Sequence, residues 1–176
     1  MKKFFAPFIA LILLSASLFA QNSITHSAIT FKTKNLGIEV DGLIGGLAAT
    51  VHFNAKDLSS ASFEATVEVK TINTDNSLRD EHLKSDEFFD MVHYPTISLK
   101  SIAITHKSGN KFVGQFNLTI KNKTKTVEIP FTCTAKGANS EFMGSFKINR
   151  LDFGIGGSSM TLSDDVTVSI DTEIGD

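Results

Sequence analysis

The chain has 176 residues, a net charge of −2 and a single cysteine. One cysteine excludes an internal disulfide. The mildly acidic balance argues against nucleic acid, which needs a basic face, and against electrostatic docking on anionic lipid.

Met1-Lys2-Lys3 is followed by an apolar run from Phe4 to Leu14, broken by Pro7, and then by small residues up to Ala20. A basic start, a short apolar stretch and small residues before a cut describe a secretory signal peptide over residues 1–20. The run is shorter than the roughly 20 residues of a bilayer span, so no stable membrane insertion is expected. Residues 21–176 are then one exported domain, periplasmic or secreted. Losing Lys2 and Lys3 takes its charge from −2 to −4.

Alternation dominates the mature chain. Ser23 to Phe31 predicts a first strand, with Ile29 and Phe31 on one face and a polar break at Lys32 to Asn35. Leu36, Ile38 and Val40 resume the pattern up to a turn signal at Asp41-Gly42. Gly45-Gly46 marks a second flexible point, and Leu47 to Phe53 a further strand. The clearest strand sets Phe63, Ala65, Val67 and Val69 against Glu64, Thr66, Glu68 and Lys70, the mark of a sheet wetted on one face. Further strands carry Ile97 and Leu99, then Phe112 to Ile120, Val127 to Cys133, Phe142 to Ile148 and Val166 to Ile170, with Asp171 to Asp176 as a tail. Pro130 falls on the outward parity and predicts an edge or a bulge.

One stretch breaks the pattern. Thr74 to Pro95 packs six carboxylates around Arg79, His82, Lys84 and His93, and contains the adjacent pair Phe88-Phe89. A two-residue period cannot bury both rings on one face, so the segment is not strand. Ser77 and Asp80 fit a helix-entry pattern, and Ser85-Asp86 fits the opening of a second turn. The expectation is two helical turns laid across the sheet with the phenylalanines inward, and Asp80 paired with Lys84.

Eight or nine short antiparallel strands, with no helix long enough for a parallel crossover, define an all-β domain. Closing into a barrel hides its edges completely, but strand spacing does not separate a barrel from a sandwich. The inward positions are Phe31, Phe53, Phe63 and Val67, then Leu99, Phe112, Phe116 and Leu118, then Ile129, Phe131, Phe142, Phe146 and Val168. Such an interior is apolar whether filled or hollow. At about eight strands the lumen can be packed by side chains or hold one ligand. The residues alone favour a filled core, with Gly114 and Gly144, at inward positions, as hints of unfilled space.

Catalytic and metal signatures are weak. His82 and His93 match no tight zinc spacing, so neither metal nor cofactor is expected. Cys133 sits in a strand pattern with no histidine near it in sequence and reads as a buried inert thiol. Gly154-x-Gly156-Gly157 lacks the lysine and helix of a phosphate loop. An enzyme built on Asp80, Glu81 and His82 is the weakest of three functional readings.

The residues also resemble a known family, the YceI-like exported proteins, over essentially the whole mature length. The resemblance is carried by His26-Ser27-Ala28-Ile29-x-Phe31, by Arg79-Asp80-x-His82-Leu83-x-Ser85-x-x-Phe88-Phe89-Asp90, by Tyr94-Pro95-x-Ile97, by Asn149-Arg150-x-Asp152-Phe153-Gly154, and by Leu162-Ser163-Asp164-x-Val166. The family's turn glycine after Leu118-Thr119-Ile120 is absent, and Asn122 is expected to take the left-handed conformation instead. The stretch Gly42 to Leu47 also departs from the family pattern.

The resemblance implies an eight-stranded antiparallel, lipocalin-like barrel with a short helical insertion near residues 76–90. It implies a long apolar cavity for an isoprenoid or similar chain, and so favours the hollow reading. Phe88 and Phe89 would line or cap that cavity, with Met91 as an adaptable neighbour and Phe153 beside them. The function implied is binding, with transport or storage, of a polyisoprenoid such as a polyprenyl or quinone-type chain. The alternative ligand is a fatty acid or fatty amide linked to a stress response. The only partner implied is this apolar small molecule, and a cavity shared across a homodimer is compatible with it.

Overall fold

The computed structural model describes residues 22–175, so the leader read at residues 1–20 lies outside the described residues. Nine antiparallel strands make one curled sheet: β1 (Ser23–Asn35), β2 (Ile38–Ile44), β3 (Ala48–His52), β4 (Ser62–Glu68), β5 (Thr96–Ser108), β6 (Lys111–Ile120), β7 (Lys123–Lys136), β8 (Asn139–Asn149) and β9 (Asp165–Gly175). Their order is β2-β1-β9-β8-β7-β6-β5-β4-β3. The two ends of that order, β2 and β3, are successive pieces of one chain segment parted only at Gly45 to Leu47. Gly46 turns there with φ 68°, a conformation that favours glycine. Counted as one broken strand, β2 and β3 complete an eight-stranded barrel.

The break lets one strand serve two neighbours. β2 pairs with β1 up to Ile29–Ile44, and β3 pairs with β4 from Ala48–Thr66 to His52–Ser62. The first half of β1, Ser23 to Ala28, therefore has β9 on one side and no strand on the other. This leaves a seam in the wall. A second discontinuity lies between β7 and β8, whose ladder stops at Phe131–Gly144. Pro130, exposed as expected, has no N–H to extend that ladder, though β7 lies inside the sheet. A 3-10 turn, Arg150–Phe153, packs on both strands there and drives Phe153, 1% exposed, into the core.

Several local expectations change. Lys32 to Asn35 continue β1, and the chain reverses at Leu36-Gly37, where both residues have positive φ. Asp41-Gly42 is no turn; it lies inside β2 opposite Lys32 and Phe31. A Cβ at Gly42 would stand 2.7 Å from Thr74 Cγ2 and 2.9 Å from the Asn73 carbonyl oxygen, so glycine is required by close approach. At the β6–β7 turn Lys121, not Asn122, takes the left-handed conformation (φ 55°). Asp171 to Gly175 extends β9 and is not a loose tail.

Three apolar clusters line the barrel from end to end. Phe112, Phe131, Phe142 and Ile174, with Phe53 and Phe63, close one end. Phe116, Leu118, Ile129, Phe146 and Ile148 line the middle wall, and Ile44, Val67, Val69 and Ile72 the far side below the inserted segment.

Candidate functional site: an apolar lumen

Between these clusters lies a cavity of about 250 Å³ lined by residues from every strand. A water needs about 10–15 Å³ on this measure, so the space is on the order of twenty waters. Its walls are mainly aliphatic and phenyl, with a few threonines and Ser98, and Arg150 is the single charged residue among them. An apolar space of this kind does not hold ordered water well, because water needs polar partners.

The floor is built from rings. Phe53 meets Phe112 and Phe142 at centroid separations of 5.1 and 5.5 Å with planes near perpendicular. Phe63 meets Phe142 at 5.3 Å and 90°. Edge-to-face packing sets the positive ring edge on the negative face. Alternation along β4, β6, β7 and β8 aims Phe63, Phe112, Phe131 and Phe142 inward, Phe53 joins them from just past β3, and their shared height in the barrel makes them a plug.

The lid is the segment that broke the alternation. Its helix α1 (Ser77–Lys84) is capped by Asn76, whose side-chain oxygen accepts from the Arg79 N–H at 3.0 Å; Ser77 is the first helical residue, not the cap. No second helix follows. Ser85 to His93 runs through hydrogen-bonded turns, with Phe89 N–H donating to the Leu83 carbonyl at 3.0 Å. Leu83, Phe88 and Phe89 line the cavity, as the phenylalanine pair led one to expect.

The charges of the segment fold the segment. Asp80 does not pair with Lys84. Its Oδ1 accepts from the Thr74 N–H at 2.9 Å and the Thr74 hydroxyl at 2.6 Å. Arg79 donates from Nε to the Thr74 hydroxyl at 2.7 Å and from Nη2 to the Thr74 carbonyl at 2.6 Å. Thr74 itself is 5% exposed. Asp75 and Asp90 stand at corners with φ 57° and 50°, a region aspartate tolerates better than most residues. His82 lies at the surface, 3.5 Å from Glu87. Asp80 is thus engaged in holding the chain. Among the described residues no group of three metal-ligating side chains converges.

Arg150, which nothing in the sequence marks as a site residue, ties down the other half of the lid. Its guanidinium donates to the carbonyls of Ser163, Ile155, Gly157 and Leu162 and to the Asp164 carboxylate. These bonds hold the loop from 154 to 164, which contributes Ile155 and Leu162 to the cavity. The loop joins the inserted segment through Gly156 N–H and the Glu87 carbonyl at 2.9 Å. It joins the β1–β2 turn through Leu36 N–H and the Thr161 carbonyl, also at 2.9 Å.

Of the residues expected from sequence to line a site, Phe31, Phe63, Val67, Leu99, Phe116 and Leu118 lie on the cavity, as do Phe88, Phe89, Phe131, Phe142 and Phe146. Four do not. Phe53 and Phe112 are committed to the ring plug, Met91 packs under the lid against the cluster around Val69, and Phe153 fills the β7–β8 discontinuity. Gly114 leaves no void, since an added Cβ would stand 2.8 Å from Ile104 Cδ1 and collide with the Phe116 ring. Gly144 lies on the cavity wall, but an added Cβ there would stand 3.1 Å from the Pro130 carbonyl oxygen and 3.3 Å from Ile129 Cγ2, so it too marks close packing.

A model of the YceI-like domain matches residues 21–174. The chain belongs to the YceI-like family. A UPF0312 protein of Staphylococcus aureus (strain N315) is 33% identical over 138 residues, covering 74% of this chain and 78% of its own. A UPF0312 protein of Vibrio cholerae (strain M66-2) is 24% identical over 137 residues, covering 74% and 72%. Among solved structures, BcnA of Burkholderia cenocepacia superposes with a TM-score of 0.80 at 25% identity, over 84% of this chain and 95% of that one. A polyisoprenoid-binding domain from Saccharophagus degradans, implicated in plant cell wall breakdown, gives a TM-score of 0.71 at 11% identity, over 88% and 97%. The shared fold is the YceI-like, lipocalin-like barrel.

Proposed function

We propose that this YceI-like protein binds a long, single apolar chain of isoprenoid type in the barrel lumen. We assign it a carrier or storage role in an aqueous compartment outside the cytoplasm. The observation that carries the reading is the 250 Å³ cavity, walled by every strand and left unfilled by a chain with ample phenylalanine to fill it. Likeness in fold to a polyisoprenoid-binding domain supports the choice of ligand class.

The energetics fit a carrier. Each methylene moved from water into the lumen gains about 0.8 kcal/mol, and a membrane offers nearly the same. The protein therefore competes poorly for what the bilayer holds unless the ligand must cross water. The hydrogen bonds that Asp80 accepts from Thr74 support a structural role for this carboxylate in the inserted segment.

The test is organic extraction of the purified protein followed by mass spectrometry, with uptake of added polyprenyl chains. A stoichiometric polyprenyl species, or saturable uptake lost in Ala65→Phe, which projects a ring into the lumen, is the expected result. A clean extract together with no uptake overturns the proposal.

A further inference from the structure

The barrel wall has two discontinuities and two ends, and three of these four are sealed. The floor is packed by rings. The lid is tied by main-chain hydrogen bonds to the β1–β2 turn and within itself. The β7–β8 gap is filled by Phe153. The seam between β1 and the β2–β3 segment is sealed by neither rings nor a ladder.

Its geometry is defined by register. Continuing the β1–β2 pairing past Ile29–Ile44 would set Ala28 opposite Gly45 and Asn22 opposite Val51. No main-chain bond joins the residues between, and β1 and β3 hold their Cα atoms almost everywhere more than 8 Å apart, against about 4.5–5.5 Å for paired strands. The pairing is recovered at the far end by a side chain. Asn22 Oδ1 accepts from the Val51 N–H at 2.7 Å, and Asn22 Nδ2 donates to the Gly175 carbonyl at 3.3 Å. The seam is thus a slit about six residues long, pinned at both tips. Leu47 and Ala49 on one lip belong to the cavity wall, as do Ile29 and Val51 at the two tips, so the lumen backs onto the β3 side of the slit.

The chemistry of the lips is equally distinct. Neither Ser23 to Ala28 nor Gly45 to Thr50 contains a lysine, arginine, aspartate or glutamate, in a chain that is 20% charged. Each lip presents main-chain N–H and C=O groups that no strand pairs. Of the ionisable groups near the lips, Glu68 lies over Gly46 and is paired with Lys70, Glu173 accepts from Asn139 Nδ2, and Asp171 Oδ1 lies 4.0 Å from His26 Nε2.

We propose that this seam is the side entrance through which the guest reaches the lumen, and that it seats a neutral, hydrogen-bonding head group such as an alcohol or amide, not a phosphate. The inference rests on the proposed binding role of the lumen. A chain longer than the lumen leaves through the same slit, since rings pack the floor and hydrogen bonds tie down the lid. Unpaired main-chain groups bind hydroxyl or amide as they would bind a neighbouring strand, whereas neither lip carries a lysine or arginine to pair with a phosphate.

The test uses a Thr25→Cys, Ala48→Cys, Cys133→Ser protein bridged across the slit by a reducible bis-maleimide. A spacer is needed because a direct disulfide does not span Cα atoms more than about 7 Å apart. The bridged protein, with circular dichroism matching the unbridged form, should take up a fluorescent polyprenol at least about tenfold more slowly, and reduction should restore the rate. Bridging after loading should slow release to a similar degree. Polyprenol should bind at least about tenfold tighter than the polyprenyl pyrophosphate of equal length. Unchanged uptake after bridging overturns the side entrance, and equal binding of the pyrophosphate overturns the neutral head. Absence of uptake in the unbridged protein overturns the binding role and this inference together.

Discussion

Arg150 Nη2 lies 2.8 Å from Asp164 Oδ1, and the remaining donors of the same guanidinium point at main-chain carbonyls. The arginine is 2% exposed, so its charge is compensated only by these acceptors. Removing it would leave Asp164 and four carbonyls without their donor. Asp164 is 44% exposed and can turn to water, so the cost is that of leaving buried carbonyls without a donor, about 1–3 kcal/mol. Arg150→Ala should lose stability on that order in urea unfolding. Arg150→Lys should recover little, because one ammonium cannot reproduce a planar fork of five donors.

The Thr74–Asp80 contact predicts a structural outcome for a residue that looks catalytic. Asp80→Ala leaves the Thr74 N–H and hydroxyl without their acceptor in a buried site, a loss of about 1–3 kcal/mol. Hydrogen exchange should show faster opening confined to residues 74–95. Asn76→Ala, which removes the helix cap, should cost about 1 kcal/mol.

The ring plug sets the depth of the lumen. Phe142→Ala should destabilise the protein by about 3–5 kcal/mol in denaturant unfolding. The same variant should accept a longer saturated chain in competition binding than the wild type does, because the floor is lowered.

Cys133 packs beside the plug, and burial pushes its thiol pKa up against a smaller opposing hydrogen bond from Ser140. Only the thiolate reacts. Alkylation by iodoacetamide at pH 8 should therefore run at least about tenfold slower than for free cysteine, and reach the free rate in concentrated urea.

Asp90 accepts a 2.8 Å hydrogen bond involving His93 Nδ1, which holds its carboxyl below the ordinary range. A depressed carboxylate stabilises the fold above its unfolded value, near 3.9, and loses that contribution as pH falls through the folded value. The stability difference between wild type and His93→Ala should be present at pH 6 and shrink below pH 4. A difference that persists unchanged at pH 3 would assign His93 another role.

Much of the wall was legible in the chain because a two-residue period reports direction. Phe63 and Val67, or Phe116 and Leu118, had to face the same way. Period says nothing of height, so Phe53 and Phe112 could not be told from cavity-lining residues although they form the floor. Asn76 and Ser77 are both good caps, and only the backbone chooses. Arg150 looked like an ordinary charge because its partners are carbonyls, which every residue carries. Of the seam only Gly45-Gly46 was legible, as a flexible point, since Ser23 to Ala28 reads as strand with or without a neighbour.

The floor and the lid are built from phenylalanine, and the whole chain holds one tyrosine and no tryptophan. The protein is therefore almost dark in the near ultraviolet. A guest with conjugated double bonds would be seen directly in the absorption spectrum of the complex, and a single indole introduced anywhere would report without background.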